Sequence, residues 1–328
     1  MLPKPSRRSL ADVPAAEGPE RGAGVVRTVT GFSRALDAAR RAGRRVGLVP
    51  TMGALHAGHR SLIERAVAEC DHVAVTVFVN PLQFGSTEDL DRYPRRLGDD
   101  LAMCSQAGAS TVFAPALDEM YPSWPAPVPT VVHVDGLTER WEGASRPGHF
   151  DGVCTVVAKL FAMAGECRAY FGEKDYQQLL VVRRMAADLS MPVDVVACPT
   201  VREPDGLAHS SRNARLSAPE RRAAASLFRA LGAGRAQVER GEARPDAVVA
   251  RMTAVLGEEP GVKLDYAAAV DAADLSVPAR LGDVAAVRLL IAAFVGPVRL
   301  IDNCSAAPPR SGPAHPSGSA NRAHAEGV

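Results

Sequence analysis

The chain has 328 residues, and its 38 lysines and arginines balance 37 aspartates and glutamates, leaving a formal net charge of +1. That balance removes the usual electrostatic argument for a nucleic-acid or anionic-membrane partner. Apolar residues make up 47% and charged residues 23% of the chain, which is ordinary for a soluble globular protein. The length suggests two domains. No stretch reaches the roughly 18 consecutive apolar residues of a transmembrane helix, so no membrane partner is expected.

The cysteine pattern and the N-terminal residues indicate in which cellular compartment the protein is found. Six cysteines are scattered without a C-x-x-C pair, which predicts reduced, mostly buried thiols in a cytoplasmic protein rather than a zinc ribbon or a dithiol redox site. The first 25 residues lack the apolar core of a secretory signal. Residues 1–25 and 305–328 have too little apolar surface to offset ordering entropy and are predicted to be disordered tails.

Between the tails, short apolar runs alternate with helix-like patterns. Strands are predicted over residues 45–50, 72–79, 110–114, 130–134, 168–171 and 193–198, and helices over 59–70, 96–107, 153–164 and 174–189. Near-continuous apolar strands that alternate with helices are typical of a parallel, doubly wound α/β sheet. A Rossmann-like domain is therefore predicted over residues 26–200.

The pattern changes after residue 200. Ser217 and Glu220 match a capping box at the start of a helix that could run to about Glu239. A second helix is predicted over residues 245–257, followed by strands near 262–270, 284–294 and 297–302. These elements predict a smaller α+β domain over residues 201–304.

The strongest local signal is PTMGALHAGH at residues 50–59, directly after the first of these predicted strands. Gly53 and Gly58 permit backbone conformations and close approaches that a Cβ atom would block. The helix beginning near Gly58 directs free N–H groups and its positive dipole end at the turn, which favours a phosphate. His56 and His59 can face that phosphate together. The alternative is a helix-capping loop with two solvated histidines.

Polar side chains follow other predicted strands. Gln83 lies at the carboxyl end of a strand, where open α/β sheets bind ligands, and its amide suits a hydroxyl or a carboxylate; it could also be an exposed turn amide. Asp99 and Asp100 stand at a predicted helix start, where their charge favours the macrodipole. Arg146 and His149 belong to a loop that contains proline and glycine. This loop either forms part of a cover over bound substrates or is a structured loop without a binding role.

Two further turns carry charge. In GEKDYQQ (residues 172–178), Lys174 is a cation suited to a phosphate, Asp175 could accept from ribose hydroxyls, and Gln178 shares its helix face. In HSSRN (residues 209–213), two hydroxyls and a guanidinium can bind a triphosphate. Alone, the first segment could equally be a charged first turn of a helix, and composition alone favours an ordinary polar interdomain loop for the second.

The segment PTMGALHAGH resembles the HIGH-type signature of the nucleotidylyltransferase superfamily, whose members bind ATP and direct attack on its α-phosphorus. Within that superfamily the chain resembles the pantothenate synthetase (pantoate–β-alanine ligase) family over roughly residues 27–304. Five more segments match that family in order, at residues 78–84, 89–95, 147–153, 171–178 and 200–213.

The resemblance implies ATP-dependent condensation of (R)-pantoate with β-alanine through a pantoyl adenylate, with release of AMP and pyrophosphate. It also implies a cytoplasmic homodimer that uses Mg²⁺. Gln83 would contact pantoate and β-alanine, Gln178 would contact pantoate, and Asp99 would hold Mg²⁺. The implied catalytic residues are His56, His59, Lys174 and Arg212. The implied ATP site comprises Met52, Gly53, Ala54, Leu55, His56, Ala57, Gly58, His59, Gly172, Glu173, Lys174, Asp175, Val201, His209, Ser210, Ser211 and Arg212.

The chain departs from the family pattern at two positions. His209 stands where the family usually has methionine, and Ala268 stands where it commonly has an acidic residue. Two other functions are therefore kept as alternatives: a nucleotidyltransferase acting on another small acid, and a non-catalytic ATP-binding module.

Overall fold

The computed structural model describes residues 23–85 and 90–307. The disorder predicted for residues 1–22 and 308–328 lies outside the described residues. None of the helices in this part of the chain has the length and apolar character needed to cross a membrane.

The tails predicted over residues 1–25 and 305–328 each include residues that belong to a strand in the structure. Gly24 begins the first strand and donates its backbone N–H to the carbonyl oxygen of Ser110. The last strand continues to Ala306, which pairs with Val287. Backbone hydrogen bonds to a neighbouring strand thus order residues whose composition alone predicted a solvated tail.

Within the described residues, the larger domain is built on a six-stranded sheet in which all paired strands are parallel. Its strands are β1 (Gly24–Val26), β2 (Val46–Thr51), β3 (His72–Val77), β4 (Thr111–Phe113), β5 (Cys167–Gly172) and β6 (Val193–Cys198). Their order across the sheet is β1-β4-β3-β2-β5-β6. The predicted parallel α/β architecture is confirmed.

Helices cover both faces of this sheet. Leu48 packs with Phe32 and Phe161 in one apolar cluster, whereas the next residue, Val49, packs with Ile63 in another. Burial on both faces explains why the strands are almost continuously apolar. The helices are α1 (Val29–Arg41), α2 (Ala57–Glu69), α3 (Leu97–Gln106), α4 (Leu117–Met120), α5 (Glu142–Ser145), α6 (His149–Ala164) and α7 (Tyr176–Asp188).

The strand order reverses at β2, which has β3 on one side and β5 on the other. Leu48 of β2 pairs with Ala169 of β5, although more than a hundred residues of chain separate the two strands. Ligands bind at such a reversal because the chain leaves the carboxyl ends of the two strands in opposite directions and opens a crevice between them. The turns that follow β2 and β5 consequently lie side by side.

The smaller domain is an antiparallel three-stranded sheet with helices packed on it. Ser217 and Glu220 exchange the two hydrogen bonds of a capping box, as predicted. The single helix predicted over residues 217–239 is instead two helices that meet at Ala225. The elements are α8 (Ala218–Ala224), α9 (Ser226–Glu239), α10 (Pro245–Gly257), β7 (Val262–Asp271), β8 (Val287–Val295) and β9 (Val298–Ala306).

The strand predicted over residues 130–134 is wrong, because this segment is irregular. The backbone N–H of Val132 donates to the hydroxyl oxygen of Thr155 rather than to a neighbouring strand. Pro127 and Pro129 precede the segment and cannot donate to a sheet ladder. Val132 and Val134 therefore pack against the apolar cluster that includes α6 without joining the sheet, whereas Val131 is exposed.

Candidate active site

The turns after β2 and β5, together with a loop near residue 210, line one cavity of about 180 Å³. The predicted site residues that line it are Met52, His56, Gly58, His59, Gln83, Gly172, Lys174, Asp175, Gln178, Val201, His209, Ser210, Ser211 and Arg212. Segments spread over about half of the sequence are thus brought to one place.

Six other predicted residues do not line this cavity. Asp99 is exposed on the first turn of α3, and its carboxylate has no hydrogen bond or ion pair with any residue that the structure describes. The remaining predicted residues that do not line the cavity are Gly53, Ala54, Leu55, Ala57 and Glu173.

The Asp100 carboxylate fixes the turn after β2 by accepting backbone hydrogen bonds, a role that the sequence did not predict. Asp100 is only 3% exposed, and its carboxylate accepts backbone N–H groups from Ala54 at 3.0 Å and Leu55 at 2.8 Å. Gly53 is required here, because its φ is +83° and an added Cβ would lie 2.8 Å from the Asp100 carboxylate. The only sequence signal is that Asp100 shares a helix face with Cys104, four residues later, and both residues are buried in the structure.

The histidine pair caps α2 and points into the cavity. The Nδ1 atom of His56 accepts the backbone N–H of Gly58 at 3.2 Å, and the Nδ1 atom of His59 accepts the backbone N–H of His56 at 3.4 Å. A neutral imidazole that accepts at Nδ1 carries its proton on Nε2. Both rings therefore offer an Nε2–H donor, and their centroids are 4.1 Å apart.

Both imidazoles are neutral at physiological pH. Burial is the main cause that lowers the pKa of His56 from 6.5 to about 3, and the neighbouring His59 and Lys174 lower it further. Burial likewise lowers the pKa of His59 to about 4, although the carboxylate of Asp175 opposes this change. The pair is suited to donate hydrogen bonds to an anion while Lys174 supplies positive charge.

The turn after β5 carries an opposite pair of charges. The Nζ atom of Lys174 is 3.7 Å from Oδ1 of Asp175, and the two side chains are 17% and 49% exposed. Partial desolvation at the cavity wall would raise the pKa of Asp175, but the positive charges of Lys174 and Arg212 outweigh this effect and lower the pKa. Asp175 is therefore ionised and can accept hydrogen bonds from a ligand.

The smaller domain fixes this turn through contacts that the sequence did not predict. The Nδ2 atom of Asn303, on β9, donates to the carbonyl oxygens of Glu173 at 3.0 Å and Lys174 at 2.8 Å. Arg288, on β8, pairs with the Glu173 carboxylate at 3.1 Å and lies 3.9 Å from the Tyr176 ring centroid. No local motif could reveal these partners, because they lie well over a hundred residues away in sequence.

The loop near residue 210 closes another side of the cavity. The backbone N–H of His209 donates to Val201 at 3.0 Å, and the His209 ring lies 6.1 Å from the His56 ring at an interplanar angle of 18°. The hydroxyl of Ser210 accepts the backbone N–H of Arg212 at 3.2 Å, which begins a short 3-10 turn at Ser211–Arg215. His209 thus packs where the family resemblance places a methionine.

Gln83 and Gln178 face the cavity from two different elements. The Nε2 atom of Gln83 donates to the Met52 sulfur at 2.8 Å, and its Oε1 atom accepts from Asn80 at 3.2 Å. Gln178, in the first turn of α7, also lines a second cavity of about 620 Å³ between the two domains. Lys174 and Arg212 line both cavities, so the two spaces adjoin.

The chain closely resembles named proteins in sequence. Residues 24–305 match the family described as pantoate-beta-alanine ligase. The pantothenate synthetase of Rubrobacter xylanophilus is 54% identical over 264 residues, which cover 79% of this chain and 90% of that protein. The pantothenate synthetase of Rhizobium etli is 48% identical over 279 residues, which cover 85% of this chain and 92% of that protein.

Solved structures extend the similarity to the fold. The pantothenate synthetase of Thermus thermophilus superposes with a TM-score of 0.81 and 48% identity, covering 87% of this chain and all of that one. The pantoate-beta-alanine ligase of Francisella tularensis, complexed with beta-gamma ATP and beta-alanine, superposes with a TM-score of 0.69 and 30% identity. That alignment covers 86% of this chain and 97% of the other.

Proposed function

The chain belongs to the pantoate–β-alanine ligase family, and on that premise we propose that it condenses pantoate with β-alanine, using ATP, in the cleft between the turns after β2 and β5. The main structural support for this proposal is that the predicted site residues lie together. The paired imidazoles of His56 and His59, the ammonium of Lys174, and the amides of Gln83 and Gln178 line a single cavity.

The proposed reaction has two steps, because a free carboxylate is a poor acyl donor. A carboxylate oxygen of pantoate attacks the α-phosphorus of ATP, the bond to the β-phosphate oxygen breaks, and pyrophosphate leaves. The amine of β-alanine then attacks the pantoyl carbonyl carbon, and AMP leaves with the former carboxylate oxygen. The attacking nitrogen loses a proton as the amide forms. No covalent bond to the enzyme is needed.

The residues of the cleft are suited to placement and charge neutralisation. The Nε2–H groups of His56 and His59 would donate to phosphate oxygens, while Lys174 and Arg212 would offset negative charge that develops on the phosphates. The two imidazole donors are already fixed by the cap of α2, so they need little reorganisation when charge develops.

Further contacts are proposed for the other parts of the substrates. Asp175 would accept from the ribose hydroxyls, and Gln83 and Gln178 would hold pantoate. The ATP site would also include residues 52–55, Val201, and the loop of His209, Ser210 and Ser211. The neutral state of both imidazoles makes them donors rather than cations in this scheme.

Mg²⁺ is proposed to accompany the triphosphate. Magnesium keeps several waters and needs only one or two carboxylates in addition to phosphate oxygens. Asp99 fits this requirement, because its exposed carboxylate is unpaired among the described side chains and it adjoins Asp100, which contacts the turn after β2. The ion would supply charge neutralisation at the phosphates.

Two properties of the intact protein remain proposals from the family resemblance. We propose that the chain forms a homodimer, which sedimentation velocity would report as a species of about twice the monomer mass. A cytoplasmic location is likewise proposed, because a biosynthetic ligase of this kind needs ATP.

The test uses purified protein and two isotopic measurements. Pantoate-dependent exchange of pyrophosphate into ATP should occur without β-alanine, and AMP should appear only when β-alanine is added. Pantoate labelled with ¹⁸O in its carboxylate should transfer one ¹⁸O atom to AMP. Exchange with an unrelated hydroxy acid but not with pantoate would contradict the proposed substrate, and unlabelled AMP would contradict the adenylate.

A further inference from the structure

Arg146 is an arginine on the wall of both cavities that the proposed reaction scheme does not use. Its Nη2 atom donates to the carbonyl oxygen of Gln83 at 3.2 Å, and its Nη1 atom lies 3.1 Å from Nε2 of His149. The Nδ1 atom of His149 donates to the same Gln83 oxygen at 2.9 Å. His149 therefore donates through Nδ1 and accepts at Nε2, so the guanidinium is fixed by two neutral acceptors.

The charge of Arg146 has no anionic partner among the residues that the structure describes. Three other arginines that are at least partly buried near the domain interface are paired: Arg202 with Asp302, Arg288 with Glu173, and Arg299 with Glu142. Burial lowers the pKa of Arg146, and the nearby charge of Arg212 lowers it further. A guanidinium has five N–H donors, and the two contacts above leave three of them free for a ligand.

Each of the three substrates of the proposed reaction carries an anionic group that could pair with the Arg146 guanidinium, but the consequences of pairing differ. Lys174 and Arg212 already supply positive charge for the phosphates of ATP. Pairing a fixed cation with the pantoate carboxylate would weaken it as a nucleophile, and that carboxylate loses its charge when the adenylate forms. The carboxylate of β-alanine keeps its charge throughout and lies at the end of the molecule that does not react.

We propose that Arg146 binds the carboxylate of β-alanine and thereby selects an amine that carries a negative group. This inference rests on the proposed function. Arg146 is tied to the backbone of Gln83, whose side chain would hold pantoate, so the second substrate would lie next to the first. The planar fork of the guanidinium matches a carboxylate with two parallel hydrogen bonds.

The test compares Arg146→Gln and Arg146→Lys with the intact protein. The KM for β-alanine should rise about 10- to 100-fold in Arg146→Gln, which is the range expected for loss of a hydrogen bond to a charged group. The KM of Arg146→Lys for β-alanine should lie between the values of the intact protein and Arg146→Gln, because lysine keeps the charge but lacks the planar, two-pronged guanidinium. Pantoate-dependent ATP–pyrophosphate exchange, which needs no β-alanine, should stay within twofold and also shows that each variant is folded.

A neutral analogue and a control variant sharpen the measurement. The preference for β-alanine over β-alaninamide, as a ratio of kcat/KM values, should fall in Arg146→Gln by the same factor as the rise in KM. Arg215→Gln removes an equal charge from an exposed residue on the larger cavity and should leave the KM unchanged.

Three results would overturn the inference. A fall in exchange with an unchanged KM for β-alanine would assign Arg146 to ATP or pantoate. Equal increases in the KM for β-alanine in Arg146→Gln and Arg215→Gln would show that Arg146 acts only through long-range positive charge and makes no direct contact with the carboxylate. Absence of exchange in the intact protein would instead remove the proposed function, and the inference with it.

Discussion

Asp100 accepts a 2.8 Å hydrogen bond from the backbone N–H of Leu55, so helix α3 fixes the turn that precedes the histidine pair. The same carboxylate accepts from Ala54, a non-glycine residue with a φ of +50°. Such a backbone conformation is strained for alanine and persists when the surrounding structure holds it in place. The geometry of the predicted phosphate site therefore depends on a residue outside its own motif.

Asp100→Asn should lower the free energy of unfolding by about 1–3 kcal/mol, because an amide group replaces one acceptor oxygen and leaves a buried backbone N–H unsatisfied. Asp99→Asn is the matched control, and its exposed position should keep the change within about 0.5 kcal/mol. Urea unfolding measures both values. Equal destabilisation by the two substitutions would contradict the role given to Asp100.

His59→Ala should reduce the rate of pantoyl-adenylate formation by roughly 10²–10³-fold, as expected when one donor to a developing charge is removed. His59→Gln should retain more activity than His59→Asn, because the glutamine amide can reach the position of Nε2 whereas the asparagine amide reaches that of Nδ1. Single-turnover measurements with ATP and pantoate would report these rates. Near-normal adenylate formation in His59→Ala would refute the assignment.

The lowered pKa values of the histidine pair predict a pH dependence of stability. In the folded protein His56 and His59 have pKa values of about 3 and about 4, against 6.5 ordinarily. The unfolded chain therefore binds more protons between these values, so stability is complete above pH 6.5 and falls as the pH decreases toward 4. His59→Gln should show a smaller loss of unfolding free energy between pH 7.5 and pH 5 than the intact protein. An identical loss would show that His59 is not buried in its neutral form.

Asn303→Leu should lower kcat/KM for ATP by about tenfold, equivalent to roughly 1.4 kcal/mol of coupling, within the range known for residues in direct contact. The substitution removes the donor that holds the carbonyl oxygens of Glu173 and Lys174. If Asn303 acts by positioning Lys174, the same substitution in a Lys174→Met background should have little further effect. Additive losses in the two backgrounds, measured by ATP–pyrophosphate exchange, would show a role independent of the lysine.

Much of the fold could be predicted from the sequence because local pattern and tertiary structure agree. The apolar strands β2 and β5 pack on both faces, and the turns that follow them carry the polar residues of the site, as the rule for parallel sheets requires. Residues 130–134 followed the same pattern, but the backbone N–H of Val132 donates to the Thr155 hydroxyl instead of to a neighbouring strand. Propensity alone could not distinguish that segment from a true strand.

The parts of the site that escaped prediction depend on tertiary contacts. Asp99 and Asp100 are identical residue types side by side, and only the packing of α3 turns one toward the Leu55 backbone and leaves the other exposed. The proton position on His59 is set by a backbone N–H, which no residue pattern records. Asn303 approaches Lys174 from a different domain.

The central claim is that the turn bearing His56 and His59 and the turn bearing Lys174 bind the same nucleotide. A crystal structure of the protein with pantoate and a non-hydrolysable ATP analogue tests it directly. We expect one analogue with phosphate oxygens within hydrogen-bond distance of both His59 Nε2 and Lys174 Nζ. An analogue that contacts one turn while the other faces only solvent would contradict it.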